Sequence, residues 1–174
     1  MSAGLSPVIA ATTQWLVHAF PGTGGALDAA LAQVQAQQAA TVAAWLRYPT
    51  AADAELLELL GPGGSGRLDW VTGADAAGPA EGEAAWRSWV DEVVASWAVC
   101  LLTDGELAGQ AAAAVSGSDH LSGLVYEFRR LTDPDDRDRG AAALLRHPDL
   151  SAPVADLHRA DLLRRLAEEP IGAA

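Results

Sequence analysis

The side chains able to do chemistry in this 174-residue chain are few: four histidines (His18, His120, His147, His158), one cysteine (Cys100) and a set of carboxylates. One grouping has the composition of an acid–base site. Asp119, His120 and Glu127, followed by Arg129 and Arg130, fall on what periodicity reads as one helix, with His120 and Glu127 two turns apart on roughly the same side. An imidazole paired with a carboxylate is a common way to tune a proton donor or acceptor near neutral pH, so His120 and Glu127 are the catalytic candidates. The structural alternative is that Asp119 sits in a first helical turn after a serine cap, with His120 beside it facing solvent. Asp156 and His158, two residues apart, would point in different directions on a helix.

Several other chemistries lack their residues. Gly61-x-Gly63-x-x-Gly66 matches the dinucleotide fingerprint as a string, but that motif needs a strand delivering phosphate to a helix N-terminus. Here a Leu-rich helix precedes it and Leu68-Asp69-Trp70 follows. All eleven basic residues are Arg and there is no Lys, which removes the Walker loop and Schiff-base catalysis. No G-x-S-x-G elbow is present. The histidines form no H-x-x-x-H or E-x-x-H pair. Asp133, Asp135, Asp136 and Asp138 crowd together, but Arg137 stands at a ligand position of a calcium loop and no Glu closes it. The sequence therefore calls for no metal and no cofactor. A lone Cys offers neither an internal disulfide nor a CxxC site, so a cytoplasmic protein is expected. The apolar stretch 7–20 is preceded by no Arg or Lys and is shorter than the roughly 20 residues of a bilayer span.

Charge is the most directional feature. The net charge is −12, but residues 1–126 carry 13 acidic and 3 basic side chains, whereas residues 127–174 carry 10 and 8. A surface of that sign repels phosphate backbones and anionic lipids, which argues against nucleic acid and membranes and leaves a basic protein as the fitting partner. Asp53, Glu55, Glu58, Asp91 and Glu92 are the partner-binding candidates. The plainer reading is that the acidity keeps an Ala- and Leu-rich chain in solution.

The elements that must position these groups are helical. Half the residues are hydrophobic, with 38 Ala and 23 Leu, and apolar residues recur at steps of three and four. Leu5, Val8, Ile9, Leu16 and Phe20 predict a buried first helix halted at Pro21-Gly22. Leu27, Leu31, Val34, Thr41 or Val42, and Trp45 predict a second helix over 26–48, its seam interrupted by Gln38 and with Gln33, Gln35 and Gln37 on its other faces. Thr50-x-x-Asp53 is a capping box that opens a short helix carrying Leu56, Leu57, Leu59 and Leu60. Residues 61–83 hold seven Gly and two Pro and read as a long loop, a possible subdomain seam, tied down by Trp70. A helix over 84–102 aligns Trp86, Trp89 and Trp97 with Cys100 on one face. That stripe is either core, with Cys100 a buried hydrophobe, or the aromatic wall of a ligand pocket whose polar side would include Arg129 and Arg130. Thr103-x-x-Glu106 reads as a second capping box, Asp133-Pro134 as a helix start, His147-Pro148 as a stop, and 152–169 as the last helix. The fold class expected is all-α: a single-domain irregular bundle, residues 1–174, of about seven to eight helices. Uncharged helices over 5–48 could supply a homodimer face.

Trp45-Leu46-Arg47-Tyr48-Pro49 before a Leu-rich helix, and Asp119-His120-Leu121 before Tyr126-Glu127-Phe128, resemble segments of the all-helical chaperones that mature molybdenum enzymes. The likeness covers under a fifth of the chain, in residues of common type.

Two functions follow as expectations. One is a non-catalytic acidic interaction module, an adaptor, chaperone or immunity-type inhibitor that binds a basic protein. The other is a small-ligand bundle or enzyme with a Trp-lined pocket and a polar cluster of His120, Glu127, Arg129 and Arg130.

Overall fold

A 22-residue helix, α2 (Ala26–Arg47), is the spine of the molecule. In the computed structural model, which describes residues 3–74, 84–121 and 127–168, its buried residues are Ala32, Gln35, Ala36, Ala39, Ala40, Val42, Ala43, Ala44, Trp45 and Leu46. Val42 and Trp45 of the expected seam are thus buried, while earlier in the helix alanines are buried where Leu31 and Val34 are only half-buried. Leu27 is exposed. The reason is packing distance: alanines let neighbouring helices approach closely, and α2 is flanked by α1 (Ser6–Ala19) and α6 (Glu92–Thr103). α1 has Pro7 in its first turn and ends where Phe20 N–H bonds Leu16 O at 3.0 Å. Around this layer lie α3 (Ala51–Leu60), α4 (Gly66–Thr72), α5 (Ala84–Arg87), α7 (Gly105–Val115), α8 (Arg129–Thr132), α9 (Asp136–Ala141), α10 (Pro148–Ala155) and α11 (Arg159–Ala167). The chain is all-α, and eight of the described helices reach seven residues or more. Buried side chains from Leu5 to Leu162 form one continuous core cluster. No described helix is long and apolar enough to cross a membrane.

Most departures from expectation are capping effects. The helix expected over 84–102 is two helices, because Asp91 is extended (φ −82°, ψ 124°) and accepts Val93 N–H at 2.9 Å, starting α6 afresh. The Trp stripe is thereby broken. Trp97 is buried, Trp86 half-buried, and Trp89 47% exposed in the turn before Asp91. At the next start the cap is Asp104, accepting Leu107 N–H at 3.0 Å, while Thr103 closes α6. The cap of α9 is Asp135, in a reciprocal box with Asp138, and not Asp133. Thr50 and Asp53 do form the capping box of α3. Pro148 begins α10 rather than only stopping its predecessor, and residues 156–158 separate α10 from α11 where one helix was expected.

Within 61–83, residues 66–72 are helical and residues 75–83 lie outside the described set. Leu68 is fully buried and ties this segment to the core, whereas Trp70 is 76% exposed. Gln35, expected on a face away from the apolar seam, is also fully buried. Its amide donates to Asp138 O and its oxygen accepts from Arg146 Nε, both at 2.7 Å. The same guanidinium donates to Leu102 O at 2.7 Å and Arg130 O at 2.9 Å, filling carbonyls at the ends of α6 and α8. Burial lowers the pKa of Arg146 from its ordinary value.

Candidate functional site

The acid–base constellation is dispersed. Asp119–Leu121 is a 3-10 turn, Glu127 is exposed and non-helical, and α8 begins only at Arg129, so His120 and Glu127 do not share the expected helix; residues 122–126 lie outside the described set. His120 stacks on Trp45, ring centroids 5.8 Å apart and 14° between planes, and its Nε2 is 2.5 Å from Tyr48 O. A carbonyl only accepts, so the proton resides on Nε2 and the ring closes the C-terminus of α2. Arg129 and Arg130 both reach Asp138, at 3.1 and 3.2 Å, and hold α8 to α9.

Trp86 and Trp97 have different partners. Trp86 lies against His18 (5.7 Å between centroids) and under the Arg87 guanidinium (5.4 Å), and Trp97 Nε1 donates to His158 O at 3.0 Å. Cys100 is buried beside Ala155 O, to which its Sγ donates at 3.4 Å. Burial pushes its thiol up to about 11, which suits a core position and not a thiolate nucleophile.

Among the carboxylates, location separates structural from available groups. Asp69 is buried, accepting from Trp15 Nε1 at 2.9 Å and pairing with Arg87 at 3.1 Å. Asp91, also buried, caps α6 with one oxygen and accepts the Tyr48 hydroxyl with the other. Burial first, then the Asp91 hydrogen bond and charge, raise the Tyr48 pKa above its ordinary value. Glu92 is 2.7 Å from His158 Nε2 and 3.2 Å from Arg67, and His158 Nδ1 is 3.6 Å from Asp161. This pairing, across 66 residues, has no signal in local spacing. Two carboxylates flank the imidazole, which when protonated links the start of α6 to α11. Among the described residues no group of three His, Cys, Asp or Glu is placed to hold a metal ion.

Of the five partner-binding candidates, Asp91 and Glu92 are therefore engaged within the fold, and Asp53 is half-buried in the capping box. Glu55 and Glu58 remain exposed on α3. Beside them are exposed leucines that sequence reasoning placed on the helix but not on its outer face: Leu56, Leu59 and Leu60. With Leu57, the four leucines span about 160° at the helical period, wider than one neighbouring helix covers, but the spacing does not say which of them stay outside. Comparison with family models, with curated proteins and with solved structures finds no match for the chain.

Proposed function

We propose that this chain is a non-catalytic interaction module whose acidic surface binds a basic protein, as an adaptor, chaperone or inhibitor does. The supporting observation is the availability of charge on α3. Three carboxylates, Asp53, Glu55 and Glu58, lie between Arg47 and Arg67 with no cation among them, and Glu55 and Glu58 point to solvent. Elsewhere the buried Asp69, Asp91 and Asp138 already have donors inside the fold. Unpaired surface charge of one sign steers an oppositely charged partner and sets its register more than it sets raw affinity.

Affinity capture from native lysate at low salt tests this reading, with the wild-type chain beside an E55Q/E58Q variant. The expected result is a basic protein retained by the wild type, released as salt rises through the range where the Debye length falls below about 10 Å, and retained less by the variant. Recovery of no salt-sensitive basic partner overturns it.

A further inference from the structure

Helix α3 carries two apolar stripes on ten residues. The first, Ala54 and Leu57, is buried. The turn Ala3–Leu5 packs against this helix, and Gly4 is close enough that a Cβ there would meet Glu58 Oε1 at 3.0 Å and Ala54 O at 3.4 Å. The second stripe is Leu56, Leu59 and Leu60 with Ala52 among them, spanning about 100° at the helical period. Its leucines are 52%, 82% and 75% exposed. Single exposed leucines are ordinary, but three on one stripe of one helix form the apolar half of an amphipathic interface. At the helical period Glu55 borders it beside Leu59, and Glu58 follows on the same side, between Glu55 and the buried Ala54 near Gly4.

We propose that this outer stripe docks an amphipathic helical segment of the partner, with its leucine-type residues on Leu56, Leu59 and Leu60 and flanking Arg or Lys meeting Glu55 and Glu58. Helix-on-helix docking reads as anchors at i, i+3 and i+4, which is the spacing α3 presents. The sign of the charge selects this occupant over a second copy of the chain. Two-fold pairing places the same patch on both sides of the contact, so α3 against α3 would juxtapose its carboxylates in a chain already at −12. The inference rests on the acidic-surface reading above and adds to it the site and the form of the partner.

Three labelled helical peptides of equal length test it by fluorescence anisotropy at low salt. One carries a Leu stripe with Arg flanks, one the same stripe with Glu flanks, and one the Arg residues with Ser replacing Leu. The expected result is binding of the Leu/Arg peptide to the wild type, weakened at least about tenfold in L59S/L60S and unchanged in L163S, whose leucine is exposed on α11. Thermal melts by circular dichroism accompany each variant. Absence of Leu/Arg binding, equal binding to L59S/L60S, or equal binding of the Glu-flanked peptide overturns the docking site. If the Arg/Ser peptide binds as tightly as Leu/Arg, the docking site falls and the acidic-surface reading stands. If the Leu/Arg peptide binds E55Q/E58Q undiminished, both fall. Sedimentation that shows wild-type dimers lost in L59S/L60S also overturns it, by assigning the stripe to a second copy.

Discussion

Helices α3 and α6 are of similar length, 10 and 12 residues, and both are rich in large aliphatic side chains, yet their fates are opposite. α6 is buried without interruption from Val94 to Leu102, enclosed by α2, α7, α10 and α11. α3 buries only Ala54 and Leu57. Their polar atoms differ in the same way. On α6, Ser96 Oγ accepts His158 N–H at 3.1 Å and bonds Ala155 O at 3.1 Å, and the Trp97 indole reaches His158 O. On α3 the polar side chains serve its own capping box or face water. Apolar content alone does not bury a helix; the number of neighbours does. Where neighbours are fewer than stripes, the surplus is available to something outside the chain, which is the basis for placing the interface on α3.

Four measurements would break or sharpen this contrast. Trp97→Ala on α6 is expected to cost about 3–5 kcal/mol, from the lost ring and the cavity left behind, read as a lower denaturant midpoint. If it costs as little as a change on the outer face of α3, the contrast fails. Tyr48→Phe, which leaves one Asp91 oxygen without its donor at the entry to α6, should cost about 1–3 kcal/mol at neutral pH. Because the folded chain holds Tyr48 neutral to higher pH than the unfolded chain does, that contribution is whole below the unfolded tyrosine value of about 10. It is lost as pH rises beyond that point, so the gap between wild type and Tyr48→Phe should narrow in alkaline titrations of stability. Thr50→Ala removes the cap of α3 and should cost about 0.5–2 kcal/mol, measured by thermal melting; a larger loss would mean that α3 supports more of the fold than its contacts indicate. Smallest of all, Leu59→Ser should change stability by no more than about 0.5 kcal/mol. A loss comparable with Trp97→Ala would show that the outer stripe is core.

Much of the helical plan was readable along the chain, because period and caps are local. The stripe from Leu5 to Phe20 and the Thr50–Asp53 box appear where their spacing puts them. The errors cluster where two capping residues compete. Asp91 starts a helix inside the expected Trp-lined helix, and Asp104 and Asp135 are the caps in place of Thr103 and Asp133. An Asp caps only if its backbone is extended and the N–H two or three residues on is unpaired, and composition does not report backbone angles. Trp70 was misplaced for another reason: its ring has a preference for burial, but α4 has only one inward side and Leu68 and Asp69 occupy it.

The candidate site divides along the same line. Sequence placed Glu55 and Glu58 on a short Leu-rich helix, and they are exposed on α3. It also nominated His120, Glu127 and the Trp stripe; the fold engages His120 and Trp97 in contacts with Tyr48 and His158 and leaves Glu127 and Trp89 exposed.

By itself, the sequence determined the helical class, the regional acidity and the absence of lysine chemistry, all of which depend on residue type and on spacings of three or four. Only the tertiary structure decided which carboxylates are engaged and which leucines remain outside. Glu92 meets His158 across 66 residues and Gln35 meets Arg146 across 111. Such pairings depend on how helices stack, and a helix with apolar residues on two sides does not encode which side its neighbours will cover.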